Sequence, residues 1–243
     1  MTTPSVPFPH MFHVHHHDVI DSTSDEVKRL AAIGAPHGTA VHADEQVSGR
    51  GRIGKTWHSP PGNLYLSVLL RLDIPAARGG ELSFAAALAV ADAVDALLPK
   101  HIRATLKWPN DVLVGGGKIA GILVEQIDGA RIVGMGVNIL EAPRNAPYKT
   151  ATVAGSGGLA TVDGAQDILL KRLTVWLDRW TEEGFYPIRS AWLARAHPLG
   201  TVLRAISGGR TEEGTFAGLD EDGALLLDTP DGRKRIVAGE VSA

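Results

Sequence analysis

Apolar positions along the chain follow two rhythms, and their order predicts helices and hairpins sharing one sheet. Ser22, Thr23 and Ser24, followed by Asp25 and Glu26, have the chemistry of a helix cap and acidic first turn, opening a helix to about Ala32 that Gly34 ends. Residues 38–44 read as a strand and residues 63–72 as another. In the second, Leu64, Leu66, Val68 and Leu70 alternate with Tyr65, Ser67 and Leu69, so both faces are partly apolar and the strand is expected to be central. The Ala/Leu-rich stretch 81–98, stopped by Pro99, predicts a helix packed on the sheet. Residues 111–114, 118–126 and 131–139 are β-prone runs joined by Gly115-Gly116-Gly117 and Asp128-Gly129, the turn chemistry of successive antiparallel hairpins. Leu169, Leu170, Leu173, Trp176, Leu177 and Trp180 recur at three-four spacing, an amphipathic helix over 167–180, with a shorter helix around 188–196.

From Leu199 the texture changes. Short strands at 202–206, 215–219, 224–227 and 235–237, separated by Gly-Gly and Asp-Gly turns, predict a small β-barrel module. The expected organisation is a flexible N-terminus over 1–17, one domain over 18–198 and the module over 199–243, without internal repeats. His10, His13, His15, His16 and His17 cluster beside Asp18, a composition able to bind metal. In a flexible terminus, adjacent histidines supply no preformed geometry, which makes a solvated tract the stronger reading.

Composition narrows the function. Lys and Arg number 24 against 27 Asp and Glu, so no overall charge draws the chain to nucleic acid or an anionic membrane, and any basic site must be local. The absence of cysteine excludes disulfides, thiolate ligands and a cysteine nucleophile, in keeping with the cytoplasm. Residues 1–17 carry neither a cationic opening nor an apolar core of a signal segment. The stretch 82–98 contains Asp92 and Asp95 and falls short of the roughly 20 residues of a membrane span.

Gly49-Arg50-Gly51-Arg52-Ile53-Gly54-Lys55-Thr56 satisfies the letters of a phosphate-binding P-loop. That motif requires a helix after the glycines, whereas Trp57-His58-Ser59 runs into Pro60-Pro61-Gly62 and then a strand. What survives is an anion-binding chemistry: glycines that admit a ligand to the backbone, and Arg50, Arg52 and Lys55 as cations. Trp57 weighs against a merely solvated basic loop, because a large aromatic there calls for something to stack on.

With these residues the chain resembles the biotin protein ligases. Glu45-Gln46 with the loop from Gly49 to Trp57 is similar to that family's biotinyl-adenylate loop. Lys107-Trp108-Pro109-Asn110-Asp111, the run from Lys118 to Glu125, and Gly136-Val137-Asn138 resemble its further signatures, and Gly223 to Leu227 its C-terminal module. The resemblance implies an α+β fold, a class II aminoacyl-tRNA synthetase-like mixed, mainly antiparallel sheet with helices, followed by a small SH3-like β-barrel. It implies biotin and ATP as substrates, Mg²⁺ with the phosphates, and transfer to a biotin carboxyl carrier protein domain. By similarity Ser22, Thr23, Ser24 and Gln46 hold the ureido head, and Gly121 opens the strand lining the pocket. Arg50, Gly51, Arg52 and Lys118 hold the carboxylate and phosphate end, with Lys118, Arg50 and Arg52 the catalytic set. Arg52, Lys55, Trp57, Lys107, Asn110, Lys118 and Asn138 face the nucleotide, and Asp111 is a candidate for Mg²⁺.

Other readings of single residues stand beside these. Ser22 to Ser24 equally suit a helix cap, Lys118 a solvated hairpin position, and Asp111 a turn former. Ser24 departs from the Asn common at that place in the family, and its shorter side chain lacks the amide. Lipoate ligation, on a related fold, is the nearest rival, and the Gly-Arg-Gly-Arg loop argues against it. A non-catalytic biotin-binding module would not need the retained cations. Too few residues precede the first helix for a DNA-reading helix-turn-helix, so DNA is not expected as a partner, while a homodimer stays open. Gly155-Ser156-Gly157 lacks the strand-turn-helix setting of a serine nucleophile.

Overall fold

The computed structural model describes residues 12–242. A seven-stranded mixed sheet forms the centre. Strand β1 (His13–Ile20) lies at one edge, parallel to β2 (Thr39–Gln46). Across the sheet follow β3 (Leu64–Leu70), β7 (Ala130–Val137), β6 (Gly117–Ile127), β5 (Asp111–Val114) and β4 (Ala104–Lys107), each antiparallel to its neighbour. Every residue of β3 is buried, as expected of a central strand carrying apolar groups on both faces. The hairpins form as the turn residues dictate. Gly115 and Gly116 (φ 55° and 76°) and Asp128 and Gly129 (φ 43° and 79°) sit in the left-handed region that a two-residue type I′ turn demands.

The expectation of a flexible segment over 1–17 fails for His13–His17, which pair in register with residues 39–43 of β2. An edge strand that is mostly exposed carries no apolar alternation to reveal it. His10 lies outside the described residues. Strand β4 was also not foreshadowed: four residues are too few to show a period.

Helix α1 (Thr23–Ala32) covers one face of the sheet, where Val27 meets Val41, Leu69 and Ile132. On the other face α2 (Glu81–Leu97), α3 (Val162–Glu183) and α4 (Phe185–Leu193) enclose the main core. Helix α3 starts before 167 because Thr161 caps it, its Oγ1 accepting the Gly164 amide at 3.1 Å; the glycine in that first turn masked the start. None of the described helices is long and apolar enough to cross a membrane.

The C-terminal module is a five-stranded antiparallel sheet. It comprises β8 (Val202–Ser207), β9 (Arg210–Leu219), β10 (Leu225–Thr229), β11 (Gly232–Ile236) and β12 (Glu240–Ser242). It is pinned to the larger domain by the Trp108 indole, which donates to the Gly223 carbonyl at 3.0 Å, and by Arg189 Nε donating to the Leu219 carbonyl at 3.0 Å. Gly223 has φ 87°, and a Cβ there would stand 2.6 Å from the Phe84 ring, so only glycine lets the two surfaces close.

Strand β4 depends on one side chain of α2. Asp95 Oδ1 accepts the Ala104 amide at 2.7 Å and Oδ2 accepts Arg195 Nη1 at 3.0 Å, with the Asp95 side chain 12% exposed. Asp95→Ala leaves that amide and guanidinium short of partners and is expected to lower stability by roughly 2–3 kcal/mol. A urea unfolding midpoint indistinguishable from wild type would contradict this.

Candidate active site

One cavity opens where β2 ends, α1 begins and the glycine-rich loop crosses the sheet. Ser22 occupies the cap position of α1 (φ −157°), but its hydroxyl makes no capping bond, and Ser22, Thr23 and Ser24 all line the cavity. Thr23 Oγ1 and Ser24 Oγ meet Ser67 Oγ at 2.8 and 3.0 Å. Gln46 Oε1 accepts the Thr23 amide at 2.8 Å, while Gln46 Nε2 donates to Ser59 Oγ at 2.9 Å. This end is a lattice of uncharged donors and acceptors fixed by one another. Tyr65 lies beside it, its phenol donating to the Pro60 carbonyl at 2.7 Å and held above its ordinary pKa by burial, so it stays neutral.

The glycine-rich loop opens no helix. Arg50 bridges Thr56, the Gly51 amide donates to the Lys55 carbonyl at 2.7 Å, and the Lys55 amide returns to the Arg52 carbonyl at 3.1 Å. The result is a small hairpin whose turn residues Ile53 and Gly54 have φ 54° and 70°. At its end Trp57 lies on the sheet over the cross-strand pair Gly121 and Gly136. A Cβ at Gly136 would stand 2.5 Å from Trp57 Nε1, and one at Gly121 would stand 2.9 Å from Cζ3, so the indole can sit there only because both strands lack side chains at that level. Trp57 Nε1 is buried without a hydrogen-bond partner.

The opposite end of the cavity is cationic. Arg50 Nη2 is 2.8 Å from both Glu125 Oε2 and Asp25 Oδ1, and Lys28 Nζ closes that group at 2.9 Å from Glu125. Lys118 Nζ is 2.6 Å from Asp111 Oδ1 and also lies 5.3 and 5.6 Å from the ring centres of Trp57 and Tyr148. Lys107 Nζ approaches the second Asp111 oxygen at 3.5 Å. Arg52 Nη1 donates to Asn110 Oδ1 at 3.3 Å and to the Gly239 carbonyl at 3.2 Å. Burial lowers the Arg52 pKa, partly opposed by the charges of Glu240 and Asp111. Lys55 Nζ donates to Glu240 Oε2 at 2.7 Å, and that bond draws the Glu240 carboxyl below its ordinary range.

The residues singled out by sequence thus come together in one place, with one exception. Asn138 sits in the adjoining cavity, which shares Thr56, Trp57, Lys118 and Tyr148 with the first. Its amide donates to the Lys118 carbonyl at 3.4 Å and to the Ala151 carbonyl at 3.2 Å, tying the end of β7 to the start of β6 and to the segment around Ala151. Sequence reasoning missed Asp25 and Glu125 as partners of Arg50, and Tyr65, Ser67, Tyr148 and Glu240 as lining. Gly134 and Gly136, alternating within an otherwise apolar strand, were the signal available, since glycine inside a strand marks close approach of another group.

The family model described as "Biotin/lipoate A/B protein ligase family" matches residues 17–140 of this chain, and the "Biotin protein ligase C terminal domain" matches residues 202–243. The chain belongs to the biotin/lipoate A/B protein ligase family. A biotin--[acetyl-CoA-carboxylase] ligase from Paracoccus denitrificans is 41% identical over 91% of this chain and 96% of its own length. A biotin protein ligase from Aquifex aeolicus, solved in complex with biotin and ATP, has 30% identity and a TM-score of 0.82, covering 94% of this chain and 97% of that one. One from Leishmania major, solved with biotinyl-5-AMP, has 26% identity and a TM-score of 0.68 over 93% and 98% of the two chains. These likenesses extend across the larger domain and the module together, so the α+β architecture of the family is that of this chain.

The packing of Trp57 yields a stability test. Gly136→Ala overpacks the indole and is expected to cost roughly 1–3 kcal/mol, while in a Trp57→Ala background the same change should cost little. Urea unfolding of the two single variants and the double variant measures the coupling. Additive losses would show that Trp57 does not rest on Gly136.

Proposed function

We propose that this chain is an ATP-dependent biotin protein ligase, which joins biotin to AMP and passes the biotinyl group to a lysine of a biotin carrier domain, such as that of acetyl-CoA carboxylase. The observation that carries the reading is the polarity of the cavity. Uncharged hydroxyl and amide groups fill one end, glycine and apolar strand the middle, and Arg50, Arg52, Lys55, Lys107 and Lys118 the other. A molecule with a neutral hydrogen-bonding head, an apolar chain and a terminal carboxylate matches that sequence of surfaces, and a nucleotide beyond the carboxylate matches the cations.

The chemistry requires such an arrangement. A carboxylate oxygen of biotin attacks the α-phosphorus of ATP. The bond from that phosphorus to the bridging oxygen breaks, and pyrophosphate departs with the electron pair. The carrier lysine amine then attacks the acyl carbon, the carbon–oxygen bond to AMP breaks, AMP leaves, and the amine proton passes to solvent. Two anions must first be brought together, so fixed cations in a site that excludes water stabilise the approach. In this reading Ser22, Thr23, Ser24 and Gln46 meet the ureido group, and Gly121 admits the chain of biotin. Arg50, Gly51, Arg52 and Lys118 converge on the carboxylate and α-phosphate, while Lys55, Trp57, Lys107, Asn110 and Asn138 serve the nucleotide. Asp111 fits a Mg²⁺ ion brought by ATP, because that ion commonly takes one protein carboxylate and completes its shell with phosphates and water; bound there it would offset phosphate charge. The working domains would be 13–198, which takes in the whole of β1, and 199–243, in the cytoplasm, with a carrier protein and not DNA as macromolecular partner.

The test is transfer of biotin to the carrier domain of acetyl-CoA carboxylase, with lipoate and a lipoyl domain as the parallel arm. Biotin transfer is expected and lipoate transfer is not; the reverse would overturn the reading. Lys118→Ala should remove adenylate formation while leaving the fold, since the lysine lies beside the reacting centre and outside the core. Wild-type pyrophosphate release from that variant would refute its role.

Arg52 is assigned to retaining the adenylate. It holds the loop to Asn110 and to the Gly239 carbonyl, and Arg52→Gly removes those contacts while adding backbone freedom. The intermediate should then dissociate faster and acylate bystander proteins such as albumin while ATP is still consumed. Equal adenylate dissociation rates for the two forms would sink the assignment.

A further inference from the structure

The histidine tract finds its geometry in the fold. In the parallel register His16 stands directly opposite His42, and Asp44 follows two residues on along β2, so all three side chains share one face of the sheet edge. The His16 and His42 ring centroids are 5.1 Å apart, His16 Nε2 is 3.0 Å from Asp44 Oδ1, and one ligand atom from each of the three lies within 4.8 Å of the others. We propose that His16, His42 and Asp44 form a binding site for a divalent late first-row transition metal of the zinc, cobalt and nickel class, separate from the cavity that holds the substrates.

The argument rests first on His42. It is only 3% exposed, it brings a ring nitrogen into the cluster, and its Nε2 has no hydrogen-bond partner among the described residues. An imidazole nitrogen buried without a partner is unfavourable, and coordination through it removes the cause. The second support is the donor set. Two imidazoles and one carboxylate suit zinc, cobalt and nickel, whereas Mg²⁺ and Ca²⁺ prefer oxygen alone. Tetrahedral coordination at about 2.0–2.2 Å needs ligand atoms roughly 3.3–3.6 Å apart, a modest contraction from the present spread. The side chains of His16 and Asp44 are 51% and 49% exposed and so are free to make that adjustment, while His42 is the fixed anchor. Three protein ligands leave one position for water. Asp18, two residues along β1 from His16, and Asp163, in the first turn of α3, add negative potential at His16. Bound metal would clamp the edge strand β1 to β2, the strand that delivers Gln46 to the cavity.

The experiment titrates metal-free full chain with Co²⁺, read by its visible d–d absorption, and with Zn²⁺ by calorimetry. One equivalent is expected, with a rise in melting temperature. His16→Ala and Asp44→Asn should each weaken binding roughly 100-fold or more, as loss of a ligand exceeds the cost of losing an outer-shell partner. Both variants should retain biotin transfer when assayed with ATP and Mg²⁺ in the absence of transition metal. His42→Gln, checked by circular dichroism, serves as the third ligand variant, and refolding failure there leaves the two surface variants decisive. A chain with His13, His15 and His17 all changed to Ala should bind as wild type. Loss of binding in that chain with retention in His16→Ala would place the metal on the other face of β1 and overturn the proposal. Absence of any Co²⁺ complex at equimolar protein would also overturn it.

Discussion

Everything at the cavity depends on holding several cations together before an anion arrives. Buried charge without a counter-ion is strongly unfavourable, and each cation here is held in a way that a ligand can replace. Arg50 rests on Glu125 and Asp25, Lys107 and Lys118 share Asp111, and Lys55 rests on Glu240. Among the described residues Arg52 meets no carboxylate, only the Asn110 and Gly239 oxygens. The carboxylates therefore act as placeholders: an arriving carboxylate or phosphate exchanges one charge-assisted bond for another without first stripping a free cation of water. Arg52, half-compensated and with its charged form disfavoured by burial, has the most to gain from a bound anion. That asymmetry is the reason the proposed retention of the intermediate is assigned to Arg52 and not to Arg50.

The sheet supplies the second constraint, a surface flat enough to carry a flat ring. Gly121 and Gly136 face one another across β6 and β7, and Trp57 lies on that gap. Gly134, one step along the same face, approaches Ser24, where a Cβ would stand 2.9 Å from its hydroxyl. Three glycines on paired strands thus connect the aromatic surface with the hydroxyl lattice. Such positions weaken a strand intrinsically, and here the loss is offset because β6 and β7 are each paired on both sides and β7 is almost wholly buried.

What the sequence disclosed follows from how local each signal is. Helix α2 and the hairpins of β5, β6 and β7 were legible because composition and Gly or Asp-Gly turns act within a few residues. Strand β1 was not, since its polar side chains carry no period and its partner lies more than a helix away. The loop from Gly49 to Trp57 announced itself by dense glycines and cations, and its refusal to open a helix could be read from Pro60 and Pro61. Ser67, Tyr65 and Glu240 gave no such notice. They reach the cavity only through the pairing of β2 with β3 and the docking of the module, and no spacing rule connects them to the loop. His42 is the same case: only the parallel register places it against His16.

The module is more than an appendage, because the loop turns on it. Ile53 sits at φ 54°, where a β-branched side chain crowds its own backbone at a cost of about 1–2 kcal/mol. The turn persists because both of its flanks are held from outside, Arg52 by the Gly239 carbonyl and Lys55 by Glu240, one immediately before β12 and one within it. When phosphate oxygens draw Arg52 or Lys55 inward, a clasp weakens and the strained turn is free to relax. Under the proposed function the ligand and the module compete for the same two cations, and the module's hold on them sets the form of the loop in the absence of ligand.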